Sequence, residues 1–116
     1  MPAIALTADT SVLTCIGNDY GYDRVFERQV EAHGRPGDVL VAISTSGSSP
    51  NVLKAAVKAR EQGLTVIGFF GQKGGSVLEH CHLAFLAPAA ETARIQEMHI
   101  LAIHLVCELV EESFPS

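Results

Sequence analysis

The sequence has 116 residues, 47% of them hydrophobic, with 8 Lys and Arg against 13 Asp and Glu and a formal net charge of −5. That is enough apolar material for the core of a single domain. The lack of a basic cluster, of an aromatic series and of any tryptophan argues against a nucleic-acid surface, and no apolar run is long enough to span a membrane as a helix. Cys15, Cys81 and Cys107 are odd in number and widely scattered, which fits neither a disulfide framework nor a Cys-x-x-Cys metal site. Together with the lack of a basic signal-peptide start, this leads us to expect buried, reduced thiols in a cytoplasmic protein.

Taken in order, Pro2–Leu6 reads as a short apolar strand and Ser11–Ile16 as a brief helix, with a turn at Gly17-Asn18-Asp19. Tyr22, Val25, Phe26 and Val30 then recur at close to helical spacing, predicting a helix over Tyr22–His33 that Gly34-Arg35-Pro36-Gly37 ends. His33 suits the negative end of that helix dipole. Val39 to Ile43 is nearly continuous and branched, the pattern of a parallel strand covered on both faces. Pro50 opens a helix over Asn51–Arg60, which Gly63 closes. A second buried strand follows over Leu64–Phe70, then a Gly-rich loop, one or two helical turns at Ser76–His80, and a final strand at His82–Leu86. Strands alternating with helices through short loops predict right-handed crossovers and an α/β, doubly wound parallel sheet flanked by helices. Ligands of such sheets sit beyond the carboxyl ends of the strands. Asn18, Asp19, the Ser44–Ser49 loop and the loop after Pro88 can reach that edge.

The chemistry concentrates where the Val39–Ile43 strand turns into Ser44-Thr45-Ser46-Gly47-Ser48-Ser49 before the Pro50 helix. Free N–H groups at a helix start, its positive dipole end and several hydroxyls together suit a phosphate. Ser49 is also a natural N-cap. No Gly-Lys-Ser/Thr follows, and the Gly-x-Gly-x-x-Gly fingerprint is missing, so a phosphorylated small molecule is favoured over a nucleotide.

The last helix, about Thr92–Glu112, is apolar around more than one stripe (Ile95, Met98, Ile100, Leu101, Ile103, Leu105, Val106, Leu109, Val110), which predicts packing against another subunit. Gln96, His99 and His104 lie within it. Eight residues separate Gln96 from His104, roughly 12 Å along a helix and about 80° around it. The two therefore converge on one ion only if two subunits contribute or the first turn is irregular. His80-Cys81-His82 does not converge if extended, because alternate strand residues point to opposite faces. Thr92 is a candidate cap, and Arg94 meets either an anionic ligand or Glu91.

Gly17-Asn18-Asp19, the Gly37–Ser49 run, and Thr92-Ala93-Arg94-Ile95-Gln96-Glu97-Met98-His99 with His104 and Cys107-Glu108 resemble, in order and through essentially the whole chain, the phosphoheptose isomerases of the sugar isomerase (SIS) domain superfamily. The resemblance implies a single, partial SIS-type, Rossmann-like domain over residues 1–116. It lacks the family's first strand, amino-terminal helices, Gly-rich loop, and the helix bearing a His and a catalytic Glu. It implies aldose–ketose isomerisation of sedoheptulose 7-phosphate to D-glycero-D-manno-heptose 7-phosphate for lipopolysaccharide heptose synthesis, by a homotetramer with zinc held between subunits. Carried over by position, Ser44, Thr45, Ser46 and Ser49 would hold phosphate or sugar, and Asn18 and Asp19 would contact substrate. Gln96 would bind substrate and metal, and His104 would bind metal and donate a proton. Ser48 stands where the family usually has Asn. With the catalytic Glu segment missing, this chain alone is not expected to turn over substrate. Other pentose- or hexose-phosphate isomerases of the superfamily fit the Arg94–His99 run less well. The alternative is a non-catalytic SIS module that binds sugar phosphates or associates with a replication initiator. It would have no need of His104.

Overall fold

A computed structural model describes residues 1–114. In chain order the elements are α1 (Thr10–Tyr20), a 3-10 turn (Tyr22–Arg24), α2 (Val25–His33), β1 (Val39–Ser44), α3 (Pro50–Glu61), β2 (Thr65–Gly71), a 3-10 turn (Ser76–His80), β3 (Leu83–Ala87) and α4 (Thr92–Glu112). The strands form one parallel sheet in the order β1-β2-β3. The register runs from Val39 opposite Thr65 to Ser44 opposite Phe70, and from Ile67 opposite Leu83 to Gly71 opposite Ala87.

Two readings near the amino terminus are corrected. Pro2–Leu6 is not a strand: its residues are irregular, and the Leu6 carbonyl accepts from the Gln29 side chain at 2.9 Å instead of from a sheet ladder. Gly17-Asn18-Asp19 is not a turn but part of α1, which runs on to Tyr20. Such residues weaken a helix by at most about 1 kcal/mol each, too little to end one that is capped and packed. Asp9 caps α1 by accepting from the Val12 N–H at 3.0 Å, and Gly21, at φ 93, supplies the stop.

Strand alternation divides the sheet into two faces. One carries Ala42, Val66 and Phe70, which pack with Ala55, Ala56 and Ala59 of α3 and Val30 of α2 in the main core. The small alanines let α3 lie close, so Phe70 and Val66 are fully buried. The other face carries Val39, Val41 and Ile43, then Phe69 and Gly71, then Leu83 and Phe85. Here α4 packs on β2 and β3. The expectation that β1 is covered on both faces fails: Val39, Val41 and Ile43 are 55%, 50% and 48% exposed. The branched run reports a preference for burial, and the described chain covers only one side of it. The thiol expectation is also corrected: all three cysteines are free, but Cys15 and Cys107 are exposed and Cys81 is partly buried. Burial pushes the Cys81 thiol pKa up.

Candidate functional site

The carboxyl end of β1 builds the site. Ser44 is the last residue of the strand and points to the core-facing side, where it is 7% exposed. Its Oγ lies 2.9 Å from Ser49 Oγ and 3.3 Å from Ser46 Oγ, and it accepts from the Gly47 N–H at 3.1 Å. A buried hydroxyl with that many partners gathers the Ser46 and Ser49 hydroxyls around itself. Ser46 Oγ accepts in turn from the Ser48 N–H at 3.2 Å. Ser49 occupies the N-cap position of α3, but its side chain makes no capping bond and turns to Ser44 instead. The positive end of the twelve-residue α3 is thus left without a Ser49 cap, beside a row of hydroxyls.

A second loop braces the first. Gly71 N–H donates to the Thr45 carbonyl at 3.1 Å, and Val77 N–H donates to the Gly47 carbonyl at 2.8 Å. Gly47 has φ 63, and a Cβ there would stand 1.7 Å from the Gly74 carbonyl oxygen. No side chain fits between the two loops.

Facing this loop is α4. Ile43, Ser44, Thr45 and Ser49 on one side and Gln96, His99, Ile100 and Ile103 on the other line an open cleft of about 520 Å³. Gln96, His99, Ile100 and Ile103 follow the i, i+3, i+4, i+7 spacing of a single helical stripe. That spacing was visible in the sequence and would have pointed to His99, which sequence reasoning left without a role. His99 is 3% exposed, with Nε2 3.0 Å from the Phe70 carbonyl oxygen and its ring edge-on to Phe69 at 6.0 Å. The lining holds no Lys or Arg, so hydroxyls, backbone N–H groups and the α3 dipole would carry the recognition of an anion. Nearby cations are engaged elsewhere: Lys54 pairs with Asp23, and Arg94 pairs with Glu97 at 2.5 Å, not with Glu91. The Lys54 ammonium bonded to Asp23 holds its carboxyl below the usual carboxylate range.

The other sequence-derived candidates lie apart from the cleft. Asn18 and Asp19 are exposed at the end of α1, with Asn18 Nδ2 donating to Asp19 Oδ1 at 2.8 Å. Ser46 is exposed at the loop tip, and His104 is exposed on α4 without lining the cleft. Glu91, not Thr92, takes the N-cap position of α4. His82 serves structure, its Nδ1 accepting from the Val66 N–H at 2.9 Å. The expectation of an extended His80-Cys81-His82, with His80 and His82 on one face and Cys81 on the other, is corrected: His80 instead ends a 3-10 turn.

A parallel sheet flanked by helices, with its candidate site at the carboxyl end of a strand, places the fold in the α/β class, and the sequence pattern of the SIS domain matches residues 1–71. The chain belongs to the SIS domain family. Within it, the chain is 57% identical over all 116 residues to a phosphoheptose isomerase of Rhodospirillum rubrum, and 56% identical over 113 residues to one of a Roseiflexus species. It spans 62% and 57% of the length of these curated relatives. Its fold matches the phosphoheptose isomerase structure from Neisseria gonorrhoeae with a TM-score of 0.91 at 51% identity, covering 93% of this chain and 61% of that one. The Francisella tularensis structure matches with a TM-score of 0.94 at 36% identity, covering 97% of this chain and 60% of that one.

Proposed function

We propose that this chain supplies the phosphosugar-binding part of an aldose–ketose isomerase acting on sedoheptulose 7-phosphate. The observation that carries the reading is the cluster of hydroxyls around Ser44 at the end of β1, set across a cleft from Gln96. Ser44, Thr45 and Ser49 would take the phosphate, with Ser46 closing over it from the loop tip, and Gln96 would meet the sugar end. Asn18 and Asp19 would contact substrate only after α1 or a bound partner brings them closer.

The isomerisation moves a proton between adjacent carbons and needs a base, an acid and a stabilised oxyanion. His104 is our candidate acid, and its distance from the hydroxyl cluster means that it would serve a cleft completed by another polypeptide. The same holds for zinc. Gln96 and His104 are two donors on divergent sides of one helix, and the described residues contain no cluster of three His, Cys, Asp or Glu side chains. This chain's residues do not by themselves fit a zinc site, and we assign it only those two donors.

Leu101, Leu105, Val106 and Leu109 are 62%, 53%, 49% and 63% exposed on α4, which supports a homo-oligomer, a tetramer by resemblance. No helix among the described residues is long and apolar enough to cross a membrane, and free thiols support a cytoplasmic setting.

The test is turnover of sedoheptulose 7-phosphate with added zinc. We expect none from this chain alone, and turnover when it is combined with a polypeptide covering the part of its relatives that it does not span. Turnover by the chain alone would move the base onto a residue described here, Asp19 first. Failure to bind either inorganic phosphate or the phosphosugar would overturn the reading.

A further inference from the structure

Among the described residues, His99 is one of three buried polar or charged side chains, with Gln29 and Ser44. Gln29 spends its amide on the Leu6 and Val25 carbonyls, and Ser44 spends its hydroxyl within the Ser loop. His99 spends only half of its capacity. A carbonyl oxygen accepts and never donates, so the ring must donate from Nε2 to Phe70 O at 3.0 Å. In the neutral imidazole that leaves Nδ1 without a proton, an atom able only to accept. Among the described residues, no group bonds to it. Nor is it sealed in: among the described residues, the buried side-chain nitrogen or oxygen atoms without a partner reduce to Gln62 Oε1. Because His99 lines the cleft and is otherwise enclosed, the cleft is where Nδ1 meets the outside.

The ring is not free to turn away. Phe69 and Phe85 stand T-shaped to it at 6.0 and 6.2 Å, and the Phe70 bond fixes its far end. The neighbouring residue, Gly71, donates to the Thr45 carbonyl, and a Cβ on it would meet Ile95 Cδ1 at 2.8 Å. Two consecutive residues at the end of β2 therefore hold both walls: Phe70 holds the histidine of α4, and Gly71 holds the Ser loop. The acceptor atom is thus held at a set distance from the hydroxyl cluster.

We infer that His99 is a specificity-determining residue whose Nδ1 accepts a hydrogen bond from a hydroxyl on the carbon chain of a phosphosugar anchored at the Ser44–Ser49 loop. This rests on the phosphosugar reading above. An acceptor-only atom selects for a hydroxyl and against a carbonyl or a methylene at that place, because the analogue would leave Nδ1 desolvated and unpaired.

Calorimetric titration with inorganic phosphate and with sedoheptulose 7-phosphate separates the two readings. In His99→Gln the amide nitrogen takes the place of Nε2 and keeps the Phe70 bond, but nothing replaces the bare Nδ1. We expect it to bind phosphate within about twofold of the native chain while losing about five- to tenfold in phosphosugar affinity, the usual worth of one net hydrogen bond. In His99→Asn the amide takes the place of Nδ1 and loses Phe70, so the melting temperature should fall while part of the sugar preference survives. Unchanged affinity of His99→Gln for both ligands overturns the inference, as does a parallel loss of both, which would make His99 only a brace for α4. If the native chain binds neither ligand, the phosphosugar reading falls. Long-range 1H–15N NMR of the native ring then decides the acceptor assignment, which a proton on Nδ1 of the neutral ring overturns.

Discussion

The two faces of one three-stranded sheet have had opposite fates. On one, Ala42, Val66 and Phe70 are closed off by α2 and α3. On the other, strand residues one position along the chain, Val41 and Ile43, stand about half exposed beside α4, and Leu83 and Phe85 are 66% and 36% exposed. The amino acids are equally apolar on both sides. What differs is whether a helix with small residues can lie flat: α3 offers Ala55, Ala56 and Ala59, whereas α4 meets the sheet through Ile95 and His99 and stands off β1. The gap between α4 and β1 is the cleft, so the face that is worse packed is the face with a candidate function.

The largest effect that would test this contrast is Phe70→Ala, which should cost about 3–5 kcal/mol in urea unfolding, since Phe70 is fully buried against the α3 alanines. Gly47→Ala comes next, at about 2–4 kcal/mol, from a left-handed residue and a collision with the Gly74 carbonyl. It should also abolish phosphate binding. Ser44→Ala breaks the hydroxyl cluster and should cost about 1–2 kcal/mol in stability, with a clear loss of phosphate affinity by calorimetry. Val41→Thr, on the open face, should stay within about 0.5 kcal/mol of the native chain. By light scattering it should also reduce self-association. A cost for Val41→Thr comparable with that for Phe70→Ala would show that the open face is covered in solution and would dissolve the contrast.

The smallest effect is electrostatic. The Lys54 ammonium lowers the Asp23 pKa below its ordinary 3.8, so the pair's stabilisation is complete above that value and is lost as pH falls through the lower folded value. Acid unfolding of Asp23→Asn should therefore differ slightly from the native chain above pH 3.8 and converge with it as pH falls from there through the lower folded value. The pair is exposed, which keeps the divergence small.

Much of the architecture was legible in the sequence because its signals are local. The branched runs at Val39–Ile43 and Leu64–Phe70 became β1, longer by one residue, and β2, shifted by one, and Pro50 and Gly63 bracketed α3 as read. The span Thr92–Glu112 became α4 without adjustment. Pro2–Leu6 misled because five apolar residues carry no information about whether a strand edge is available to pair with. Gly17-Asn18-Asp19 misled because a turn-like trio is overridden when Asp9 and Gly21 set the helix ends on either side. In the candidate site, the run of hydroxyls at Ser44–Ser49 was plain from its residue types. That His99 lines the cleft and His104 does not was hidden, since a sequence shows which histidines exist but not which helical face turns toward the sheet.

The order of elements from β1 onward, the parallel sheet and the hydroxyl-rich loop are written in the residues themselves, because periodicity, capping and turn chemistry act over a few residues. Packing settles the rest: Ser49 bonds Ser44 instead of capping α3, Gln96 and His99 face the loop while His104 does not, and one side of β1 stays bare. The last two depend on how far α4 lies from β1, and that is set by contacts such as Ile95 over Gly71 and His99 on Phe70, between residues more than twenty positions apart.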